Sequence, residues 1–264
     1  MTATPGTTTP GTATTAVTSA VRRRTAERAA VRKVRRRVTR SLLVSGAWFW
    51  AIWAAFVAGV PAAVDRWGGE MPDLTYDLSG APARWVALAV GAIVAGSMLR
   101  LHVAAGGTRR SVVDGVLRAA ALVGPAYGVM AVLLTLGEER VFDALDRSWQ
   151  GGATPLPLDT VAGIVVTVLG ETFVVVTYAL VGVSAVAAFR TRLIVLGPLL
   201  VASLLVPCAI VDLATRTGLF GIPLRGGYDD VALGAVGTVV GGLVAAALAT
   251  VVAHRLLRSV SLRP

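Results

Sequence analysis

Residues 160–188 read TVAGIVVTVLGETFVVVTYALVGVSAVAA, a run in which Glu171 is the only charged side chain. About 20 apolar residues in an α-helix are enough to cross the hydrocarbon core of a bilayer. Inside lipid, each backbone N–H and C=O group must find its partner within the protein, and a single apolar segment achieves this as a helix. The stretch therefore predicts a transmembrane helix in an integral membrane protein.

Five further apolar stretches surround this one along the chain. Together they predict six spans, at about 42–64, 85–104, 116–136, 160–188, 193–213 and 231–252. The composition agrees, because 55% of the 264 residues are hydrophobic and only 15% are charged, whereas about 25% are charged in a typical soluble domain. The expected fold is an all-α membrane domain of six transmembrane helices that covers residues 42–258.

The chain before the first span divides into two segments. Residues 1–20 are rich in Thr, Ala, Pro and Gly, and this composition predicts a disordered tail. Residues 21–41 contain ten basic residues and one acidic residue and predict a basic juxtamembrane amphipathic helix. Its apolar stripe consists of Val31, Val34, Val38 and Leu42. At the other terminus, residues 259–264 form a short tail.

Two interpretations of the basic helix stay open. It binds anionic lipid at the membrane surface, or it is a solvated run of charge that orients the first span. A nucleic-acid-binding arm is a poorer third interpretation, because the basic run is joined directly to a membrane span. We therefore expect anionic lipid, and no nucleic acid, as the partner of this segment.

Basic residues are unevenly divided between the two sides of the predicted bundle. With the N-terminus inside, the inner segments hold 19 of the 25 basic residues and the outer segments hold 6. Acidic residues are distributed the other way, with only Glu27 and Asp114 on the inner side. Since short loops rich in Arg and Lys stay in the cytoplasm, the pattern predicts a multi-pass protein of the plasma (inner) membrane with both termini cytoplasmic.

The residue types that support catalysis are scarce. Cys208 is the single cysteine and Lys33 the single lysine, and Lys33 does not follow the Gly-x-x-x-x-Gly pattern of a P-loop. The chain contains no H-E-x-x-H or G-x-S-x-G motif, which serve metal-assisted and serine hydrolysis. We therefore expect no catalytic, cofactor-binding or metal-binding residues and no enzymatic activity in this chain.

Glu171 marks a predicted intramembrane polar site. A carboxylate deep in a span costs about 3 kcal/mol or more unless it is neutralised or faces water, and Thr167 and Tyr178 share its helical face. Two interpretations stay open: Glu171 belongs to a transport pathway or responds to protons, or it is a protonated carboxyl group that hydrogen-bonds to a neighbouring helix.

Small residues four apart predict where the spans meet, since helices in lipid associate through close backbone approach. The second span contains Ala87, Gly91 and Ala95, and the sixth contains Gly237 and Gly241. We expect both stripes to form helix contacts.

The predicted inner loop between the second and third spans, residues 100–120, reads RLHVAAGGTRRSVVDGVLRAA. Here the chain resembles membrane (permease) subunits of type-2 ATP-binding-cassette (ABC) exporters, in particular small permease-like proteins of high-GC, actinobacterial-like type. The resemblance rests on a G-x-[ST]-R-R segment followed by a further glycine in this loop. It extends to six spans, two cytoplasmic termini and a basic helix before the first span.

The resemblance implies that this loop docks a separate P-loop ATPase subunit, and that two membrane subunits pair as a homodimer or heterodimer around a central path. ATP and Mg²⁺ would then bind to the partner subunit, with no cofactor in this chain. The residues that would form or flank the docking element are Gly107, Thr108, Arg109, Arg110, Asp114 and Gly115. The function it implies is the outward movement of an amphiphilic or lipid-like substrate.

Two alternatives to the permease subunit remain. In an ion-coupled secondary transporter, Glu171 binds the coupling proton, so that Glu171→Gln abolishes transport driven by a proton gradient. In a membrane scaffold or assembly factor, the basic tail recruits partners to anionic lipid, so that deletion of residues 1–40 abolishes function. Arg109 and Arg110 also have a simpler explanation as topology determinants that need no partner.

Overall fold

A computed structural model describes residues 11–68, 80–149, 156–190, 197–216, 219–220, 228 and 230–259. These residues form six helices and contain no β-strand. The helices are α1 (Gly11–Arg66), α2 (Gly80–Ala104), α3 (Arg109–Ala144), α4 (Val161–Arg190), α5 (Gly197–Thr215) and α6 (Val231–Ser259). The predicted all-α architecture is confirmed, and each helix overlaps one of the predicted spans.

Five of the described helices are long and apolar enough to cross a membrane, and the segment Ser203–Thr215 of α5 is a shorter apolar helix. Large apolar side chains are exposed on the outer faces of the helices, as expected for a surface in contact with lipid. Examples are Trp48, Ile52, Ile93, Leu122, Leu133 and Leu243. The protein is therefore a membrane protein, while the number of spans and their orientation stay predictions.

Helix α4 lies at the centre of the bundle, where it packs against α2, α3, α5 and α6. Its neighbours approach through glycine, since a residue without Cβ lets two backbones come within contact distance. Gly124 and Gly128 of α3 lie against the backbone of Thr172 and Val168 in α4. Because the numbering runs in opposite directions along this contact, α3 and α4 are antiparallel.

Helix α2 meets α4 in the antiparallel direction and equally closely. The backbone at Gly91 of α2 contacts Ala179, and the backbone at Gly182 of α4 contacts Leu88. A side chain at either glycine would overlap a carbonyl oxygen of the facing helix. The closest approach in this part of the bundle therefore depends on the two glycines.

The basic segment is the first part of α1 rather than a separate helix. Its stripe of Val31, Val34, Val38 and Leu42 is buried. Val34 lies against Gly115 of α3, and the hydroxyl of Tyr127 in α3 donates a hydrogen bond to the carbonyl of Leu42, 2.9 Å away. The apolar stripe is thus covered by protein. The prediction that this apolar face lies on the membrane surface is therefore wrong, because the face packs against α3 instead.

The start of α1 also differs from the predicted boundaries of the tail. Helix α1 begins at Gly11, inside the predicted tail of residues 1–20, and residues 1–10 lie outside the described part of the chain. Once a helix has formed, adding a residue to its end carries no further nucleation cost. This accounts for the extension of α1 into the Thr- and Ala-rich sequence.

The helices define two ends of the bundle. One, here called the basic end, contains the Arg-rich part of α1, the end of α2, the start of α3 and the ends of α4 and α6. The side chain of Arg109 in α3 donates hydrogen bonds to the carbonyls of Leu257 and Arg258 in α6. Arg190 of α4 donates one to the carbonyl of Gly96 in α2. Arginine side chains thus link α3 to α6 and α4 to α2.

We predict that Gly91→Val lowers the thermal stability of the detergent-solubilised protein, because the new side chain must push α2 away from Ala179. Overpacking of this kind costs about 1–3 kcal/mol. Gly96→Val on the same helix is the matched control, since a Cβ at Gly96 meets no atom within 4 Å. Thermal unfolding curves that shift equally for both variants would contradict this account of the α2–α4 contact.

Candidate functional site

The connection between α2 and α3 is a short, tightly structured turn at the basic end. Gly106 has a φ of 82°, a conformation that glycine adopts without strain. The N–H of Gly107 donates to the carbonyl of His102 at 2.9 Å, and a Cβ at Gly107 would overlap the His102 ring. Gly106 is therefore required by the path of the chain, and Gly107 leaves room for the His102 ring.

Thr108 begins α3 as its N-cap. Its Oγ1 accepts a hydrogen bond from the N–H of Ser111 at 3.1 Å, and the hydroxyl of Ser111 donates to the carbonyl of Thr108 at 2.6 Å. The ring Nε2 of His102 lies 2.7 Å from the same hydroxyl. The turn is thus joined to both helices by side-chain hydrogen bonds.

The two arginines of the predicted docking loop have different surroundings. Arg109 is half-buried and donates to two carbonyls at the end of α6, at 3.1 and 2.9 Å. These carbonyls are among the last four of a helix, which have no partner within it. Among the described residues, Arg110 forms only a long ion pair with Asp114, 3.7 Å apart, and its side chain is 67% exposed. Arg109 therefore joins helices, whereas Arg110 is available to a partner.

Asp114 and Gly115 lie one turn further along α3. Asp114 also faces His254 of α6, with 3.4 Å between Oδ1 and Nε2, and Gly115 contacts Val34 of α1. The structure thus brings all six residues of the predicted docking loop together at the basic end. Four of them, Arg109, Arg110, Asp114 and Gly115, belong to the first two turns of α3 rather than to a loop or a separate helix.

A second polar cluster lies inside the bundle, between α2, α4 and α5. Arg84 of α2 and Asp212 of α5 form an ion pair with 2.8 Å between Nη1 and Oδ1, and both side chains are completely buried. Oδ2 of Asp212 accepts hydrogen bonds from the hydroxyl of Tyr178 at 2.7 Å and from the N–H of Phe220 at 2.8 Å. This carboxylate is therefore compensated by one cation and two neutral donors.

Aromatic rings complete this cluster. The guanidinium of Arg84 lies 5.8 Å from the centre of the Tyr178 ring, and Trp85 meets the same ring edge-on at 5.7 Å. A cation in contact with a ring face gains electrostatic stabilisation, more so when water is excluded. The cluster connects three helices in one network and contains no group with an evident catalytic partner among the described residues.

The sequence-predicted polar site is divided by the structure. Tyr178 belongs to the Arg84–Asp212 cluster, whereas Glu171 and Thr167 lie about 10 and 16 Å further along the axis of α4, at 1.5 Å per residue. Both are buried, with 3% and 4% of their surface exposed. The neighbouring Gly170 faces Thr215 of α5 and Thr238 of α6.

Sequence reasoning missed the ion pair because it treated Arg84 as a charge of the outer loop and Asp212 as a charge at a helix end. One signal was present: Asp212 has apolar neighbours on both sides, in the run CAIVDLA at residues 208–214. A carboxylate in such a run requires a partner of opposite charge or a proton. The sequence does not say which arginine supplies it.

The predicted packing residues all lie at contacts within the protein. On α2, Ala87 and Ala95 are buried and Gly91 contacts α4. On α6, Gly241 lies against Ala214 of α5, and Gly237 lies against the ring of Tyr228.

Comparisons of the chain with protein-family models, with curated proteins and with solved structures find no match. Across the described part of the chain, no group of three or more His, Cys, Asp or Glu side chains is arranged to hold a metal ion. The site must therefore be interpreted from its own geometry.

We predict that Asp212→Asn destabilises the protein by about 3–5 kcal/mol, because it leaves the charge of Arg84 buried without its counterion. Adding Arg84→Met should restore much of that stability, since no buried charge remains and the new amide oxygen can still accept from Tyr178 and Phe220. Thermal unfolding of the two single variants and the double variant measures this coupling. If the two single losses simply add, the ion pair does not fasten the helices.

Proposed function

We propose that this chain is the membrane subunit of an ATP-driven exporter of the type-2 ABC class, and that the start of α3 is the surface on which its ATPase subunit docks. In this proposal the basic end faces the cytoplasm, where short Arg-rich segments are retained. ATP and Mg²⁺ bind to the partner. This chain forms the path, pairs with a second membrane subunit and moves an amphiphilic or lipid-like substrate outward.

The observation that supports the proposal is the exposed Arg110 on a rigidly held turn. A segment that only connects two spans does not need a glycine at positive φ, a second glycine packed against a ring, an N-cap and a side-chain link to a third helix. A surface that transmits force needs such restraints, because a flexible loop would absorb the displacement of the partner. The α2–α3 turn has them, and Arg110 gives it an exposed cation for a carboxylate of the partner.

The contacts of the turn also supply a route for coupling. A displacement at Arg110 moves the first turn of α3, and through Arg109 it reaches the end of α6. Through Gly115 and Val34 it reaches α1, and through His102 and Ser111 it reaches α2. Four of the six helices would therefore respond to one docking event, as an ATP-driven conformational change requires.

We expect Arg110→Glu to reduce the co-purification of a P-loop ATPase by about tenfold or more, because reversal of a surface charge opposes binding to a complementary partner. The measurement is purification of the tagged protein from its native host in mild detergent, followed by identification of the bound chains and an ATPase assay. Arg255→Glu is the matched control, since Arg255 is also an exposed arginine at the basic end, on α6.

Arg109→Ala separates docking from folding in the same experiment. It removes two hydrogen bonds to α6, each worth about 1 kcal/mol, and should lower thermal stability while Arg110→Glu does not. A protein that copurifies with no ATPase under conditions that preserve other transporter complexes would contradict the proposal. Equal ATPase recovery with Arg110→Glu and with the wild type would contradict the docking surface.

A second candidate is an ion-coupled transporter, which the burial of Glu171 favours. Its carboxyl group lies in α4, the helix that touches four of the others, and is 3% exposed. A proton-binding group at the centre of a bundle can change the packing of several helices at once. Transport driven by a proton gradient without an ATPase would favour this candidate over the exporter.

A further inference from the structure

An open groove of about 1410 Å³ runs along the exposed side of α1 at the basic end and reaches Leu122 of α3. Its volume exceeds the roughly 300–1,000 Å³ typical of pockets for drug-sized ligands. One part of the wall consists of basic side chains of α1. The other part is apolar and consists of Leu43 and Val44 of α1 and Leu122 of α3.

One face of α1 changes from basic to apolar along this groove. Lys33, Arg36, Arg37 and Arg40 recur at helical spacing and are all exposed, and Leu43 and Val44 continue the same face. Residues three and four apart lie on the same side of a helix. A ligand in the groove therefore meets four cations at one end and a hydrocarbon surface at the other.

The change occurs at the level where the membrane is expected to begin. From Ser41 to Val64 the sequence of α1 carries no charge, a length of about 36 Å at 1.5 Å per residue, against a hydrocarbon core of about 30 Å. Arg36, Arg37 and Arg40 thus stand within about 8 Å of the hydrocarbon boundary, the depth of lipid headgroups.

The basic side chains of the groove are not compensated by acidic ones. No acidic side chain lines the described part of this groove. Six basic side chains therefore line the groove without a counterion in it, and guanidinium and ammonium groups are donors suited to phosphate oxygens.

The helix that carries the cations is also held in place before any ligand binds. Val34 and Val38, on the opposite side of α1, are completely buried, and Val34 lies against Gly115. The backbone of α1 therefore loses little freedom on binding, which favours a defined site over a diffuse ionic atmosphere.

We propose that the groove along α1, whose apolar end is bounded by Leu122 of α3, is a binding site for an anionic phospholipid. The headgroup phosphate pairs with Arg36, Arg37 and Arg40, and an acyl chain lies along Leu43, Val44 and Leu122. This inference does not depend on the exporter proposal, because it concerns only the lipid-facing side of α1 and holds for a transporter of any class.

The test compares two triple variants of the full chain that change the same number of charges on the same helix. The groove variant is R36Q/R37Q/R40Q. The control variant is R22Q/R23Q/R24Q, whose centre lies about 26 Å further from the membrane boundary than Arg40, more than the Debye length of about 8 Å. Native mass spectrometry gives the retained lipid, and thermal shifts with added phosphatidylglycerol or phosphatidylcholine give the apparent affinity.

We expect the wild type and the control variant to retain phosphatidylglycerol in preference to phosphatidylcholine. The groove variant should bind phosphatidylglycerol about a hundredfold more weakly, at roughly fivefold for each basic side chain near a membrane surface. Equal losses in the two triple variants would show diffuse electrostatic attraction and overturn the site. An unchanged groove variant would overturn it as well.

Two further measurements separate a lipid from a free anion. Glycerol phosphate, which has no acyl chains, should give no thermal shift at the lipid concentrations used, and an equal shift would overturn the lipid assignment. Leu122→Glu places a carboxylate in the groove without altering α1 and should also weaken phosphatidylglycerol binding. This variant keeps the test decisive if R36Q/R37Q/R40Q does not fold.

Discussion

The close approach of α4 to its neighbours is the constraint on which the rest of the bundle depends. Helices in lipid gain little from burying apolar side chains against each other, because the lipid itself is apolar. Contact between backbones, dispersion and hydrogen bonds must hold them together instead. Gly91 and Gly182 bring α2 to α4, and Gly124 and Gly128 bring α3 to α4. Without these contacts, the buried polar groups of α2, α4 and α5 would not meet.

The Arg84–Asp212 ion pair is a consequence of this approach. An unpaired charge at such a position is costly in lipid, and even a paired one gains stability only when its geometry is good and its remaining sites are hydrogen-bonded. Tyr178 and Phe220 supply the hydrogen bonds that the carboxylate still needs. The cluster therefore tolerates only one arrangement of three helices, so it defines the register of α2 and α5 against α4 rather than simply adding attraction.

The helices and two of their contacts could be predicted from the sequence, because span length and small-residue spacing are local properties. Gly91 and Gly241 lie at helix contacts as their spacing indicates. The partners of Asp212 could not be predicted, since Arg84 is distant in the chain and adjacent to a predicted loop. The burial of Val34 and Val38 against protein could not be predicted either. An apolar stripe on a basic helix can pack against lipid or against protein. Here protein covers it, because α3 is long enough to reach this part of α1.

Two parts of the bundle are held together by different physical means, and this difference bears on how the molecule can move. At the basic end, exposed or half-buried arginines bond to carbonyls that water can also satisfy, so each link costs little to exchange. Between α2, α4 and α5, the ion pair is sealed from water, and breaking it leaves uncompensated charge in an apolar interior. A displacement applied at the start of α3 would therefore rearrange the basic end first, while the Arg84–Asp212 cluster holds its three helices together as a unit. In the proposed exporter, a transport cycle would therefore change the contacts at the basic end first, and the groove of α1 lies at that end.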